Sequence, residues 1–210
     1  MSHIFDWLFS QYQGVDTYLI VLELLGVFFG FLSVWYSKQE NILVYPTGIV
    51  STAIFVYILW VFSLLGDMLI NAYYFLMSIY GWYYWTRKDD ENHEVPITKM
   101  TKKEHLWSVI IFMLTMFFVV IVYIVNDKFD NWTAYVDTVT TAIFFVGMWL
   151  MAKKKLENWT YWIIGDIISV PLYFYKGLIF TSFQYVLFTI IAIYGYKAWK
   201  KTLNNNPVVA

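Results

Sequence analysis

Apolar runs of about twenty residues alternate with short polar breaks along almost the whole chain. A helix rising 1.5 Å per residue needs about 20 such residues to cross the hydrocarbon core of a bilayer. Seven segments qualify: 17–37, 43–65, 67–87, 105–125, 132–153, 159–176 and 178–200. Leu65-Gly66 alone separates the second from the third, and Lys176-Gly177 the sixth from the seventh, so each pair is expected as a tight helical hairpin. The pattern predicts an all-α integral membrane fold with seven transmembrane helices.

The runs also repeat. At an offset of 117 positions Gly30 falls on Gly147, Lys38 on Lys155, Glu40-Asn41 on Glu157-Asn158, and Gly48 on Gly165. Tyr45 meets Trp162 and Thr52 meets Ser169, while a three-residue slip brings Tyr80-Gly81 and Trp85 onto Tyr194-Gly195 and Trp199. That period is too long for a solenoid unit of roughly 20–50 residues and suits a three-helix bundle. The fourth segment has no counterpart, which makes the arrangement 3+1+3. Three spans reverse the chain and one linker restores it, so the two bundles are expected in parallel orientation.

Composition agrees with this reading. Apolar residues make up 60% of the chain and charged residues 14%, far from the roughly 45–50% and 25% of soluble domains. The 14 basic residues divide unevenly between the two sides. Lys38, Arg87, Lys88, Lys99, Lys102, Lys103, Lys153 to Lys155, Lys197, Lys200 and Lys201 fall on one side, and only Lys128 and Lys176 on the other. Basic residues resist translocation, so the amino terminus is expected outside and the carboxyl terminus inside. Lys153–Lys155 and the run Asp89-Asp90-Glu91 then read as topogenic and solvated charge. The predicted organisation is an extracytoplasmic N-terminal segment over 1–16, a first bundle over 17–87, a cytoplasmic loop and linker helix over 88–131, a second bundle over 132–200 and a cytoplasmic tail over 201–210. Met1–Gln13 lacks the features of a cleaved signal and is expected to be retained.

Ionisable groups within membrane spans cost a few kcal/mol and default to functional candidates. Three carboxyls qualify: Glu23, Asp137 and Asp166. Trp162, Asp166, Ser169 and Tyr173 share one helical face at i, i+4, i+7 and i+11, and could present an aromatic, an anion and hydroxyls to one ligand. The matching face at the same offset is Tyr45, Ile49, Thr52 and Val56. Asn71, Tyr74, Ser78 and Trp82 lie together on helix 3, Gln184 and Tyr185 on helix 7, and Asp137, Thr140, Thr141 and Trp149 on helix 5. Each of these polar stripes is equally well read as interhelical hydrogen bonding worth about 1 kcal/mol. Gly26 and Gly30 form a small-xxx-small packing step. Pro171 lies inside the sixth helix and is expected to loosen it beside a cavity.

Several chemistries have no basis in the chain. Cysteine is absent, and His3, His93 and His105 lie at a terminus, in a loop and at a helix edge. There is no zinc-protease, phosphate-loop or nucleophile-elbow motif, so no enzyme activity, cofactor or metal is expected. Helix 7 has no lysine near its middle for a retinal Schiff base. Repeated bundles place a transporter's binding site near the midplane between them.

Lys155-Leu156-Glu157-Asn158-Trp159 running through Trp162 to Ser169, the Tyr80-Gly81-Trp82-Tyr83-Tyr84-Trp85 end of helix 3, and Gly195 with Trp199 together resemble the PnuC family of bacterial vitamin transporters. The resemblance implies a 3+1+3 fold related to the SWEET sugar transporters, a homotrimer, and uptake of nicotinamide riboside by facilitated diffusion with trapping by a cytosolic vitamin kinase. This chain departs from the family's pattern at Asp166, where Asn is common, and at Asn71, where Gln is common. A carboxyl beside an aromatic face suits the flat cations nicotinamide riboside and thiamine, and neutral riboflavin less. Substrate contacts are expected from Asp166, Trp162, Asn71, Gln184, Ser169, Thr52, Tyr45, Tyr173 and Thr141, with Asp137, Glu23 and Pro171 as gating or structural residues. Glu40, Asn41, Glu157 and Asn158 are expected to cap and anchor helices 2 and 6. The expected partners are a small cationic aromatic vitamin and the lipid bilayer, without nucleic acid. Two alternatives stay open here: a thiamine transporter of the same fold, and a seven-span sensor or assembly protein whose polar faces only join helices.

Overall fold

The computed structural model describes residues 16–62, 64–88, 94–127, 129, 131–176 and 179–205, with side chains at 65, 66, 179 and 180 left out. Seven helices follow one another: α1 Thr17–Lys38, α2 Val44–Val61, α3 Leu65–Trp85, α4 Lys102–Val125, α5 Trp132–Ala152, α6 Asn158–Tyr175 and α7 Ile179–Asn205. The break between α2 and α3 falls earlier than the glycine suggested. Leu65-Gly66 opens α3, and the turn is closed by Leu64 N donating to Leu59 O at 2.8 Å. α7 runs to Asn205, five residues into the expected tail, and 206–210 lie outside the described residues, as do 1–15 and the acidic run at 89–91.

Four helices, α1, α2, α4 and α5, are long and apolar enough by composition to cross a membrane. α3, α6 and α7 have comparable length. They carry the tyrosines, tryptophans and polar side chains that an apolarity scale penalises, and part of that set, Tyr74, Ser78, Trp159, Trp162, Asp166 and Tyr185, lines the interior cavity described below.

α4 begins at Lys102, three residues before its expected start, because Thr101 and Glu104 form a capping box. Glu104 N donates to Thr101 Oγ1 at 3.3 Å, and Thr101 N donates to Glu104 Oε2 at 2.8 Å. The segment ahead of α4 is strapped to the α5–α6 connection. Thr98 N donates to Lys154 O, Leu156 N to Thr98 O, and Met100 N to Glu157 Oε2 at 3.0 Å. Ile97 is thereby buried in the main core beside Trp85 and Leu156.

In each bundle the middle helix packs against both others: α2 against α1 and α3, α6 against α5 and α7. Between bundles α1 meets α7 and α3 meets α5, while α4 leans chiefly on α5. These contacts correct the register of the repeat. α2 and α6 are each 18 residues long and start at Val44 and Asn158, and Leu65 and Ile179 open α3 and α7, so structural equivalence runs at 114 positions throughout rather than 117 followed by a slip. The packing agrees. The Tyr45 ring lies where a Cβ on Gly81 would be, 2.2 Å away, and the Trp159 ring where a Cβ on Gly195 would be, 2.6 Å away. Tyr45 meets Trp85 edge-on with centroids 5.1 Å apart, and Trp159 meets Trp199 edge-on at 5.6 Å. Tyr45 therefore corresponds to Trp159, not Trp162. Three residues is close to one helical turn, so both registers put like residues on nearly one face and only the contacts choose between them.

The bundles are stitched together by equivalent bonds. Trp85 Nε1 donates to Met151 O at 3.3 Å, and its counterpart Trp199 Nε1 donates to Ser37 O at 2.9 Å. Ser37 and Met151 are themselves counterparts, and Ser37 Oγ donates to Met151 Sδ at 3.3 Å. A local two-fold relation therefore passes between these two residues, at the Lys-rich end. Glu40 and Lys154, also counterparts, form an ion pair at 2.8 Å across the same join. Both adopt left-handed backbone, φ 58° and 57°, where α1 and α5 end.

Candidate functional site

Between the bundles lies a cavity of about 260 Å³ whose described lining comes from α1, α2 and α3 on one side and α5, α6 and α7 on the other. α4 contributes none of it. The two walls differ in chemistry because paired positions exchange large for small. In the first bundle Gly30 packs on Ser51 and Gly48 on Ser33. Their counterparts are Phe144 against Gly165 and Trp162 against Gly147, where an added Cβ would lie 2.3 Å and 3.4 Å from the rings. One wall is thus recessed and hydroxyl-bearing, the other aromatic.

On the recessed wall most hydroxyl protons are committed to the backbone. Ser33 donates to Val44 O at 2.8 Å, Ser51 to Gly26 O at 2.7 Å and Thr52 to Gly48 O at 2.7 Å. Each retains lone pairs, so toward a ligand these groups act as acceptors. Ser78 is 3% exposed, and its hydroxyl has no partner among the described residues.

On the aromatic wall Phe144 stacks on Trp162 with centroids 5.5 Å apart and on Tyr185 at 6.0 Å. Asp166 is 3% exposed and lies on the cavity beside Trp162. Among the described lining residues it is the one ionisable group other than tyrosine, and its carboxyl has no hydrogen-bond or ion-pair partner among the described residues. Tyr74 and Tyr185 lie within its electrostatic reach. A buried carboxyl without a counter-charge is costly and is expected where a ligand supplies one. In the 114 register its counterpart is Thr52, so matching points of the two walls carry an acid and a hydroxyl.

Of the residues expected at the site, Asp166, Trp162 and Thr52 line the cavity, and the others do not. Tyr45 is fully buried in the core, its hydroxyl 3.5 Å from Met151 O. Ser169 is fully buried behind the wall, its hydroxyl without a partner among the described residues. Asn71 turns its amide back to Asp67 O at 3.0 Å. Thr141 and Gln184 are half-buried on α5 and α7, away from the lining. Tyr173 packs at a tilt against Tyr185, centroids 5.1 Å apart, one ring removed from the cavity. Tyr74 and Ser78 do line it, though Asn71 and Trp82 of the same expected face do not.

The residues expected to gate or anchor have definite places. Asp137 is ion-paired with Lys176, and Glu23 holds the equivalent position in the first bundle. α6 continues through Pro171, and Ser182 Oγ donates to the preceding Val170 O at 2.8 Å. Neither Glu-Asn pair caps a helix through its side chains. Asn41 Oδ1 instead accepts from Leu43 N at 2.9 Å in a local turn, Glu157 holds the α4 strap, and Asn158 Nδ2 donates to Lys155 O at 2.6 Å. Lys154 and Lys155, expected as topogenic charge, are buried: Lys154 also donates to Val95 O, and Lys155 pairs with Glu104 at 3.0 Å.

Residues 20–201 match the model of the family described as nicotinamide mononucleotide transporter. The chain belongs to the nicotinamide mononucleotide transporter family. It is 26% identical over 205 residues to the nicotinamide riboside transporter PnuC of Escherichia coli K12, across 85% of this chain and 84% of that one. The riboflavin/roseoflavin transporter RibM of Streptomyces davaonensis is 22% identical over 209 residues, across 97% of both chains. The crystal structure of the vitamin B3 transporter PnuC superimposes with a TM-score of 0.65 at 21% identity, over 97% of this chain and 88% of that one, which carries the fold. Membership in the nicotinamide mononucleotide transporter family makes this chain a multi-pass membrane transporter, and the interbundle cavity is its candidate substrate site.

Proposed function

We infer that the chain imports a flat aromatic cation, nicotinamide riboside before others, by facilitated diffusion through the interbundle cavity. The observation that carries this is Asp166, buried, without a partner among the described residues and set beside stacked aromatic rings. A pyridinium lying on Trp162 and Phe144 would gain roughly 0.5–2 kcal/mol from the ring faces and supply the missing counter-charge. Ribose hydroxyls, rich in donors, match the acceptors on the recessed wall. No Lys, Arg or His is among the described lining residues, so a phosphate on the ligand would meet no counter-charge.

Thiamine is the second reading, because Asp166 suits a thiazolium equally well. Neutral riboflavin would leave the acid unpaired. In the proposed cycle all seven helices span the inner membrane in two parallel three-helix bundles of SWEET-like arrangement. The amino terminus lies outside and the Lys-rich end in the cytoplasm. The bundles rock about the cavity, a homotrimer is the working assembly, and a cytosolic kinase traps the product.

Proteoliposomes containing only this protein test the transport mode. Labelled nicotinamide riboside is expected to enter until inside and outside concentrations are equal, with or without a pH gradient. Accumulation above the outside level would show coupled transport and overturn facilitated diffusion.

A further inference from the structure

The far end of α6 from the α5–α6 connection carries a second cation site, and the protein fills it with its own lysine. Lys176 closes α6, pairs with Asp137 near the start of α5, and places its ammonium 5.3 Å from the centroid of the Tyr173 ring. A carboxylate and an aromatic face around one cation form the same chemical pair that Asp166 and Trp162 offer in the cavity. The difference is occupancy: here the cation belongs to the chain and sits on a partly exposed side chain. The Lys176 end keeps contact with solvent while Asp137 is largely buried, so a cation arriving from outside can compete with the ammonium for the carboxylate.

The two sites are joined by rings. Tyr173 packs on Tyr185 at 5.1 Å, Tyr185 stacks on Phe144 at 6.0 Å, and Phe144 on Trp162 at 5.5 Å. Ten residues separate Lys176 from Asp166, roughly 15 Å along the helix. Repeat symmetry marks the carboxylate as a feature of the fold and the lysine as an addition. Asp137 corresponds to Glu23, whereas Lys176 corresponds to Phe62.

We propose that Asp137 and Tyr173 form an outer subsite for the same class of flat aromatic monocation, with Lys176 as a tethered surrogate that the entering substrate displaces before moving along the aromatic track to Asp166. This rests on the reading of the cavity as a cation site. An occupied entry site lowers apparent affinity by the fraction of time it is free, so removing the surrogate improves capture without touching the cavity.

The test measures KM and Vmax for labelled nicotinamide riboside and for thiamine in proteoliposomes, together with calorimetric Kd and melting temperature. Lys176→Met is expected to lower KM about fivefold with the Kd of the cavity site unchanged. Asp137→Asn is expected to raise KM about tenfold, and adding Lys176→Met to it is expected to do nothing further. If Lys176→Met leaves KM unaltered, or raises it while lowering the melting temperature, the pair is a clamp between α5 and α6 and the proposal is overturned. Asp166→Asn separates the two readings. If it left Kd intact while the Lys176 effect persisted, the central site would be wrong and the outer one would stand; wild type that bound neither cation would overturn both.

Discussion

Asp166 and Thr52 stand at matching points on opposite walls of one cavity, and that mismatch of acid and hydroxyl is where a ligand acquires an orientation. An aromatic cation faces the second bundle, and hydroxyl donors face the first. Ser78, buried and without a partner among the described residues, is the hydroxyl free to both donate and accept there. Ser78→Ala is expected to weaken nicotinamide riboside by about 3- to 12-fold, the scale of one neutral hydrogen bond. It should leave 1-methylnicotinamide, which lacks the sugar, unchanged; calorimetry with both ligands checks it. Gly165→Ala acts through a neighbour. Its new Cβ would fall 2.3 Å from Phe144 Cε1, so the ring must move toward the cavity it lines, and uptake should fall while the protein still folds. Asp166 and Trp162 were legible in the sequence because an ionisable group within an apolar run stands out against its cost. Ser33, Ser51 and Phe144 were not. A serine or phenylalanine inside a membrane span carries no such signal, and only the pairing of Gly30 with Ser51 and Phe144 with Gly165 reveals their part.

Helix positions were readable to within a few residues, since apolar run lengths and loop charges set them. α4 starts three residues before its apolar run, where Thr101 and Glu104 spell out a capping box. The repeat register was misread for a physical reason: a slip of three residues turns a helix by only about 60° from a full turn, so sequence matches survive it. Packing around glycine does not survive it, and that gives a prediction. Gly81→Ala and Gly195→Ala each drive a Cβ into a ring, Tyr45 or Trp159, and should each cost about 1–3 kcal/mol. Thermal unfolding in detergent should show both shifts, and shrinking the facing ring, Tyr45→Leu with Gly81→Ala, should recover part of the loss. An unchanged melting temperature in Gly195→Ala would contradict the Trp159–Gly195 packing that sets the register.

Across the whole molecule most polar contacts between bundles among the described residues lie at the Lys-rich end, Glu40 with Lys154, Trp85 with Met151 and Trp199 with Ser37, while Tyr73 donates its hydroxyl to Phe145 O midway along α3 and α5. Separation of the bundles at that end requires all of them to break together. Glu40→Gln would leave a buried ammonium short of its counter-charge, at the low end of the roughly 3–5 kcal/mol for breaking a buried pair because Glu40 is partly exposed. Thiol labelling of a cysteine placed at Ser37, otherwise inaccessible, should become faster in the Glu40→Gln protein. The architecture around this join follows from run lengths and the repeat, but the identity of the ligand rests on one cavity. The most direct test is calorimetric titration of purified wild-type and Asp166→Asn protein with nicotinamide riboside, thiamine and riboflavin. The expected result is binding of at least one of the two cations by wild type, lost by about tenfold or more in the variant, with riboflavin weak and indifferent to the change. Equal affinity of the cations for both proteins, or riboflavin as the tightest ligand, would contradict a cation site at Asp166.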